Sequence, residues 1–102
     1  MNRGEVWLAH VGRKRRPVLV LTRDEVLDVR SMVTVAEIST SARGLTTEVH
    51  FDHIAAGLDR ASVVNADGLH TMAQSILTTR LGELDDNELE QVCAAVSYAL
   101  GC

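Results

Sequence analysis

A chain of 102 residues with a formal net charge of −4 at pH 7 makes one domain with a small core, and as a whole it is no generic nucleic-acid binder. Its aromatics are Trp7, Phe51 and Tyr98 alone, too few for a base-stacking platform, so the core must be aliphatic. The charge is unevenly spread: seven of the ten Lys and Arg residues lie in the first thirty positions, whereas residues 81–102 hold five acids and no base, a polarity that permits local phosphate binding.

Residues 4–11 alternate loosely and predict a strand. Gly12 to Arg16 predict a turn that runs straight into Pro17, and Pro17 to Thr22 a second strand apolar enough to be buried on both faces. Proline suits the first residue of a strand, because it fixes φ and lacks the N–H donor. The cations Arg13, Lys14, Arg15 and Arg16 are then held beside a rigid frame, as a phosphate-handling site requires; the plainer reading is a solvated hairpin tip. Residues 24–31 predict a polar loop with one helical turn, Met32–Ser39 a third strand, and Thr46–Asp52 a fourth with clean alternation. A short polar link, Thr40 to Leu45, joins those two. Further strands are expected over 61–65, at the start of 69–77 before a helical turn, and over Thr79–Gly82.

The C-terminal segment carries the clearest helix signal. Asp85 is an N-cap with Glu88 at capping-box spacing, Leu89, Val92, Cys93, Val96 and Leu100 fall on one face, and Gly101 ends it. Many short strands with one terminal helix predict a mainly β protein, a small, partly open β-barrel with appended helices. Cys93 and Cys102 would lie about 13 Å apart along an unbroken helix, too far to bridge. The four histidines show no metal-ligand spacing within a helix, and no metal or other cofactor is expected. Without an apolar signal region or a run of membrane-spanning length, the expected location is the cytoplasm.

Three polar elements are predicted at strand ends: the basic turn before Pro17, the hydroxyl cluster Ser39-Thr40-Ser41, and Asp67 to Thr71. Cleaving RNA without metal requires a group that takes the ribose 2′-hydroxyl proton, a proton source for the departing 5′-oxygen, and donors for the pentavalent phosphate. Arg16 suits the last role through charge and bidentate hydrogen bonds, and a neighbouring hydroxyl can orient the phosphate. Arginine is a poor proton carrier. Each element also has an ordinary structural reading: turn capping for Ser39 to Ser41 and for Asp67, a satisfied histidine for His70, a simple turn for Arg43-Gly44.

The blocks Arg3-Gly4-Glu5-Val6-Trp7, Arg16-Pro17-Val18-Leu19-Val20, Val35 to Ser41 with Arg43-Gly44-Leu45, and Ser62 to Asp67 occur in the order and spacing of the MazF family of toxin ribonucleases. The resemblance spans nearly the whole chain as one domain, 1–102. It implies a plasmid-maintenance-toxin, SH3-like barrel working as a homodimer, and sequence-specific, metal-independent cleavage of single-stranded RNA to 2′,3′-cyclic phosphate and 5′-hydroxyl ends. It also implies a MazE-like antitoxin whose acidic, disordered tail folds over the RNA groove. The family's catalytic arginine falls on Arg16, and its catalytic threonine on Ser39 by strict spacing, with Thr40 one place later; both are carried as catalytic candidates. Arg13, Lys14, Arg15, Ser41 and Arg43 are candidate phosphate contacts, and Asp67 and His70 candidate base readers. The first connection, Gly12–Arg15, is shorter than the flexible loop of many relatives, which implies an open groove.

Two other readings stand beside this one. A non-enzymatic toxin on the same barrel, of the CcdB kind, would bind DNA gyrase through its C-terminal helix and need no arginine–hydroxyl site. A degenerate barrel kept as a binding module is the other, suggested by Glu37, an acid where relatives often have proline.

Overall fold

The computed structural model describes residues 1–102. Six antiparallel strands form one sheet: β1 (Glu5–Val11), β2 (Lys14–Val20), β3 (Met32–Ser39), β4 (Glu48–His50), β5 (Val63–Ala73) and β6 (Leu77–Glu83), in the spatial order β4-β5-β3-β2-β1-β6. A single turn, α1 (Asp24–Leu27), links β2 to β3, a 3₁₀ turn over 74–76 links β5 to β6, and α2 (Asp86–Leu100) ends the chain. The sheet is not closed, because no ladder joins β4 to β6. It nevertheless curls until the segment after β4 abuts β6: a Cβ at Gly82 would run into the backbone of Ala55 and Ala56.

The core is double because β2 and β3 are buried on both faces. On one face Val6, Leu19, Ala36, Ile38 and Val64 pack beneath Val92 and Ala95 of α2. On the other, Ala9, Val18, Val20, Val33 and Val35 pack with Leu27 of α1 and Leu77. Alternation assigns neighbouring residues of β2 to opposite cores, which explains its unbroken apolar run. Each fully buried Val or Leu contributes about 1.5–3 kcal/mol relative to an exposed one. The capping box at α2 is as expected: Asp85 accepts the Glu88 N–H at 2.7 Å, and Glu88 accepts the Asp85 N–H at 3.0 Å. The helix face differs in detail, with Ala95 buried and Leu100 exposed.

Three sequence expectations are corrected. Lys14 to Arg16 are strand and not turn; the turn is only Gly12-Arg13, and Val11 faces Lys14 across the hairpin. Pro17 is therefore the fourth residue of β2, not the first. The Leu21 N–H is spent on Thr34 at 3.0 Å, so alternation turns the Pro17 nitrogen toward β3, where pairing has already stopped at Val18. No ladder bond is lost. β4 keeps only three of the seven residues expected. Asp67 to Thr71 lie inside β5 and not at a strand end, since β5 runs unbroken over eleven residues.

The continuity of β5 is masked by a bulge. Glu37 pairs with Asn65 and Ala36 with Leu69, so Ala66, Asp67 and Gly68 are extra residues on β5. The bulge flips the alternation: Val64 and Ala66 face α2 before it, Leu69 after it. A pattern that changes parity mid-strand imitates two short strands.

Candidate active-site groove

One sheet face carries the second core at one end and a groove at the other. Most of the strand residues lining the groove alternate, as sharing one face favours: Ala9 and Val11 on β1, Lys14, Arg16 and Val18 on β2, Glu37 and Ser39 on β3, Asn65, His70 and Met72 on β5, with Pro17 and Ile38 bordering it from between them. Ser41 and Arg43 of the following link complete it, around a volume of about 580 Å³. The groove exists because the β2–β3 ladder ends at Val18–Glu37. Beyond that pair the strands part, and Arg16 and Ser39 both line the opening.

Of the ten residues singled out in the sequence, six line this groove: Lys14, Arg16, Ser39, Ser41, Arg43 and His70. Arg13 lies in the hairpin turn and Arg15, paired with His10, points to the opposite sheet face. Thr40 is exposed beyond the end of β3 and outside the lining. Asp67 is turned aside, its carboxylate accepting the Thr47 hydroxyl at 2.7 Å. The lining therefore includes Ser39 and leaves out Thr40. Ser39 Oγ accepts the Ser41 N–H at 3.1 Å, which leaves its own hydroxyl proton for a phosphate oxygen.

Neither Lys14, Arg16 nor Arg43 forms an ion pair within the chain. Three cations thus face the groove against one carboxylate, Glu37, in a protein whose net charge is −4. Arg43 is held by its backbone: Glu48 accepts the N–H groups of Arg43 and Leu45 at 2.8 and 3.0 Å. Those two N–H groups, Leu45's first, hold the Glu48 carboxyl below its ordinary range.

Glu37 and Asn65 are lining residues that the sequence reading did not assign to the site. Glu37 crosses to β5 and accepts from His70 Nε2 at 2.7 Å. Its carboxylate lies over Gly68, where any Cβ would collide with it. No cue in composition or spacing links positions 37 and 70; only the bulge brings them together. The signal for Asn65 was its place between Val64 and Ala66, on the opposite face from both.

The Arg3 to Trp7 block has a structural role. Burial alone would raise the Glu5 carboxyl, but hydrogen bonds outweigh it and the net effect is downward. The donors are Arg80 Nε at 2.7 Å, Trp7 Nε1 at 3.0 Å and the Asn2 N–H at 2.6 Å. This brace ties β1 to β6.

The chain matches, over residues 2–100, the family model described as PemK-like, MazF-like toxin of type II toxin-antitoxin system. It belongs to that family. A probable endoribonuclease MazF5 of Mycobacterium tuberculosis is 37% identical, covering 98% of this chain and 93% of the relative. Endoribonuclease MazF3 of the same species is 40% identical over 84% of this chain and 82% of the relative. Among solved structures, the M. tuberculosis toxin MazF-mt6 superposes with a TM-score of 0.87 at 36% identity, covering 95% of this chain and 96% of that one. An endoribonuclease in complex with its cognate antitoxin, from a mycobacterial species, gives 0.89 at 25% identity, covering 99% and 95%. Membership of the PemK/MazF-like family does not favour the gyrase-binding alternative. No helix is long and apolar enough to cross a membrane.

Proposed function

We propose that this MazF-family protein is a sequence-specific, metal-independent endoribonuclease toxin that cuts single-stranded RNA to 2′,3′-cyclic phosphate and 5′-hydroxyl ends. The observation that carries the reading is that Arg16 and Ser39 line one groove at the opening of the β2–β3 ladder, with its cations unpaired. A phosphodiester laid across the opening meets the Arg16 guanidinium, which forks onto two phosphate oxygens and stabilises the charge of the pentavalent phosphorus. Ser39 donates its hydroxyl to the same phosphate, and Lys14 and Arg43 hold the neighbouring phosphates. Aliphatic walls from Ala9, Val11 and Met72 give unstacked bases an apolar surface in place of an aromatic one.

The relatives named as endoribonucleases support the activity, and the relative solved with its cognate antitoxin supports a MazE-like partner for this chain. A homodimer acting in the cytoplasm completes the proposal. The test is incubation of the purified protein with a long unstructured RNA in EDTA, followed by mapping of fragment 5′ ends. Discrete cuts bearing 5′-hydroxyls are expected. Intact RNA from folded protein would contradict the proposal.

A further inference from the structure

Metal-free transesterification of RNA needs a proton acceptor for the 2′-hydroxyl, and the groove offers few. Arg16, Arg43 and Lys14 offer only donors, and a serine hydroxyl is no base without a partner. His70 is the imidazole among the lining residues, and its side chain is half exposed toward the groove. Glu37 Oε1 lies 2.7 Å from its Nε2. A carboxylate only accepts, so this contact fixes the proton on Nε2 and leaves the Nδ1 lone pair free. Gly68 opens the space in which Glu37 reaches the ring, and the β5 bulge puts the two side chains on one face. The acid at position 37, a threat to phosphate binding when considered alone, is thereby engaged by the imidazole.

We infer that His70 is the general base of the RNA cleavage reaction and that Glu37 is its positioning residue. The inference rests on the ribonuclease reading above. His70 Nδ1 takes the proton of the 2′-hydroxyl as O2′ attacks phosphorus. The P–O2′ bond forms, the P–O5′ bond breaks, and O5′ takes a proton from solvent water. The imidazolium then returns its proton to the hydroxide so formed, so the reaction consumes no net proton. The charged groups around the ring are Glu37 on β3, Lys14 and Arg16 on β2, and Arg43 in the link after β3, while Asp67 on its own strand is engaged by Thr47.

The experiment is the pH dependence of single-turnover RNA cleavage in EDTA between pH 5 and 9, for the parent chain, His70→Gln, His70→Arg and Glu37→Gln. For the parent, the rate is expected to rise about tenfold per pH unit on the acid side and then level off, as a single histidine base requires. His70→Gln is expected to lose at least 100-fold in rate and the acid limb with it, while RNA affinity changes less than threefold. His70→Arg supplies a cation but no base and is expected to be as slow. Glu37→Gln, whose amide can donate to Nε2 and so no longer fixes the ring proton there, is expected to lower the plateau rate about tenfold while RNA affinity changes less than threefold; a merely structural role would weaken RNA binding or the folded state along with the rate. A parent profile flat across this range would overturn the inference without any variant, and so would His70→Arg cutting at the parent rate. A parent chain that never cuts RNA would instead refute the ribonuclease reading beneath it.

Discussion

Arg16 and Ser39 derive their position from the place where a ladder stops. Val18 still pairs with Glu37, but two residues further the strands have parted, and both side chains face the same opening. Lys14 joins them because it is two residues from Arg16, whereas Arg15, one residue away, cannot. The same geometry separates the two hydroxyl candidates. Ser39→Ala is expected to slow single-turnover cleavage about 100-fold, the scale of losing one donor to a developing phosphate charge. Thr40→Ala, altering a side chain outside the lining, is expected to cost much less. Equal losses in the two variants, measured on one RNA at saturating protein, would contradict the ranking.

At the scale of elements, the brace between β1 and β6 gives stability a defined pH dependence. Hydrogen bonds from Arg80, Trp7 and Asn2 outweigh burial and hold the folded Glu5 carboxyl below the ordinary value of 4.5. The unfolded chain therefore binds the proton first as pH falls. The stabilisation is fully present above about pH 5 and is lost as pH drops through the folded value. Glu5→Gln is expected to cost on the order of 1–2 kcal/mol at neutral pH and to flatten the melting-temperature decline below pH 4.5. Thermal melts between pH 3 and 7 test it; parallel curves for the two proteins would contradict the assignment. Which elements could be read from the chain follows from how local their signals are. β3 falls on Met32–Ser39 and the capping box on Asp85 and Glu88, both as expected, because alternation and capping are written in neighbouring residues. From sequence β5 reads as two strands, because the parity flip at Ala66 to Gly68 depends on pairing with β3. From sequence β2 starts three residues late, at Pro17, because proline signals a strand start when the open side of its ladder is unknown. The Glu37–His70 pair is the extreme case, joining residues 33 apart that share no local cue.

At the scale of the molecule, the two faces of the sheet divide the work. The acidic helix α2 covers one core, and the basic groove opens beyond the other, so a chain of net charge −4 presents three unpaired cations together in one groove. This separation reconciles an acidic pI with RNA as substrate, and it leaves the groove as the surface an acidic antitoxin tail would compete for. We propose that RNA is cut at the opened β2–β3 ladder, with Arg16 at its centre. The most direct measurement compares the parent chain with Arg16→Ala on the same RNA, reading cleavage rate, RNA affinity and folded state together. A rate at least 1,000-fold lower, in a folded protein that still binds RNA within about tenfold of the parent, is the predicted result. Cleavage by Arg16→Ala at the parent's rate and sites would contradict the account.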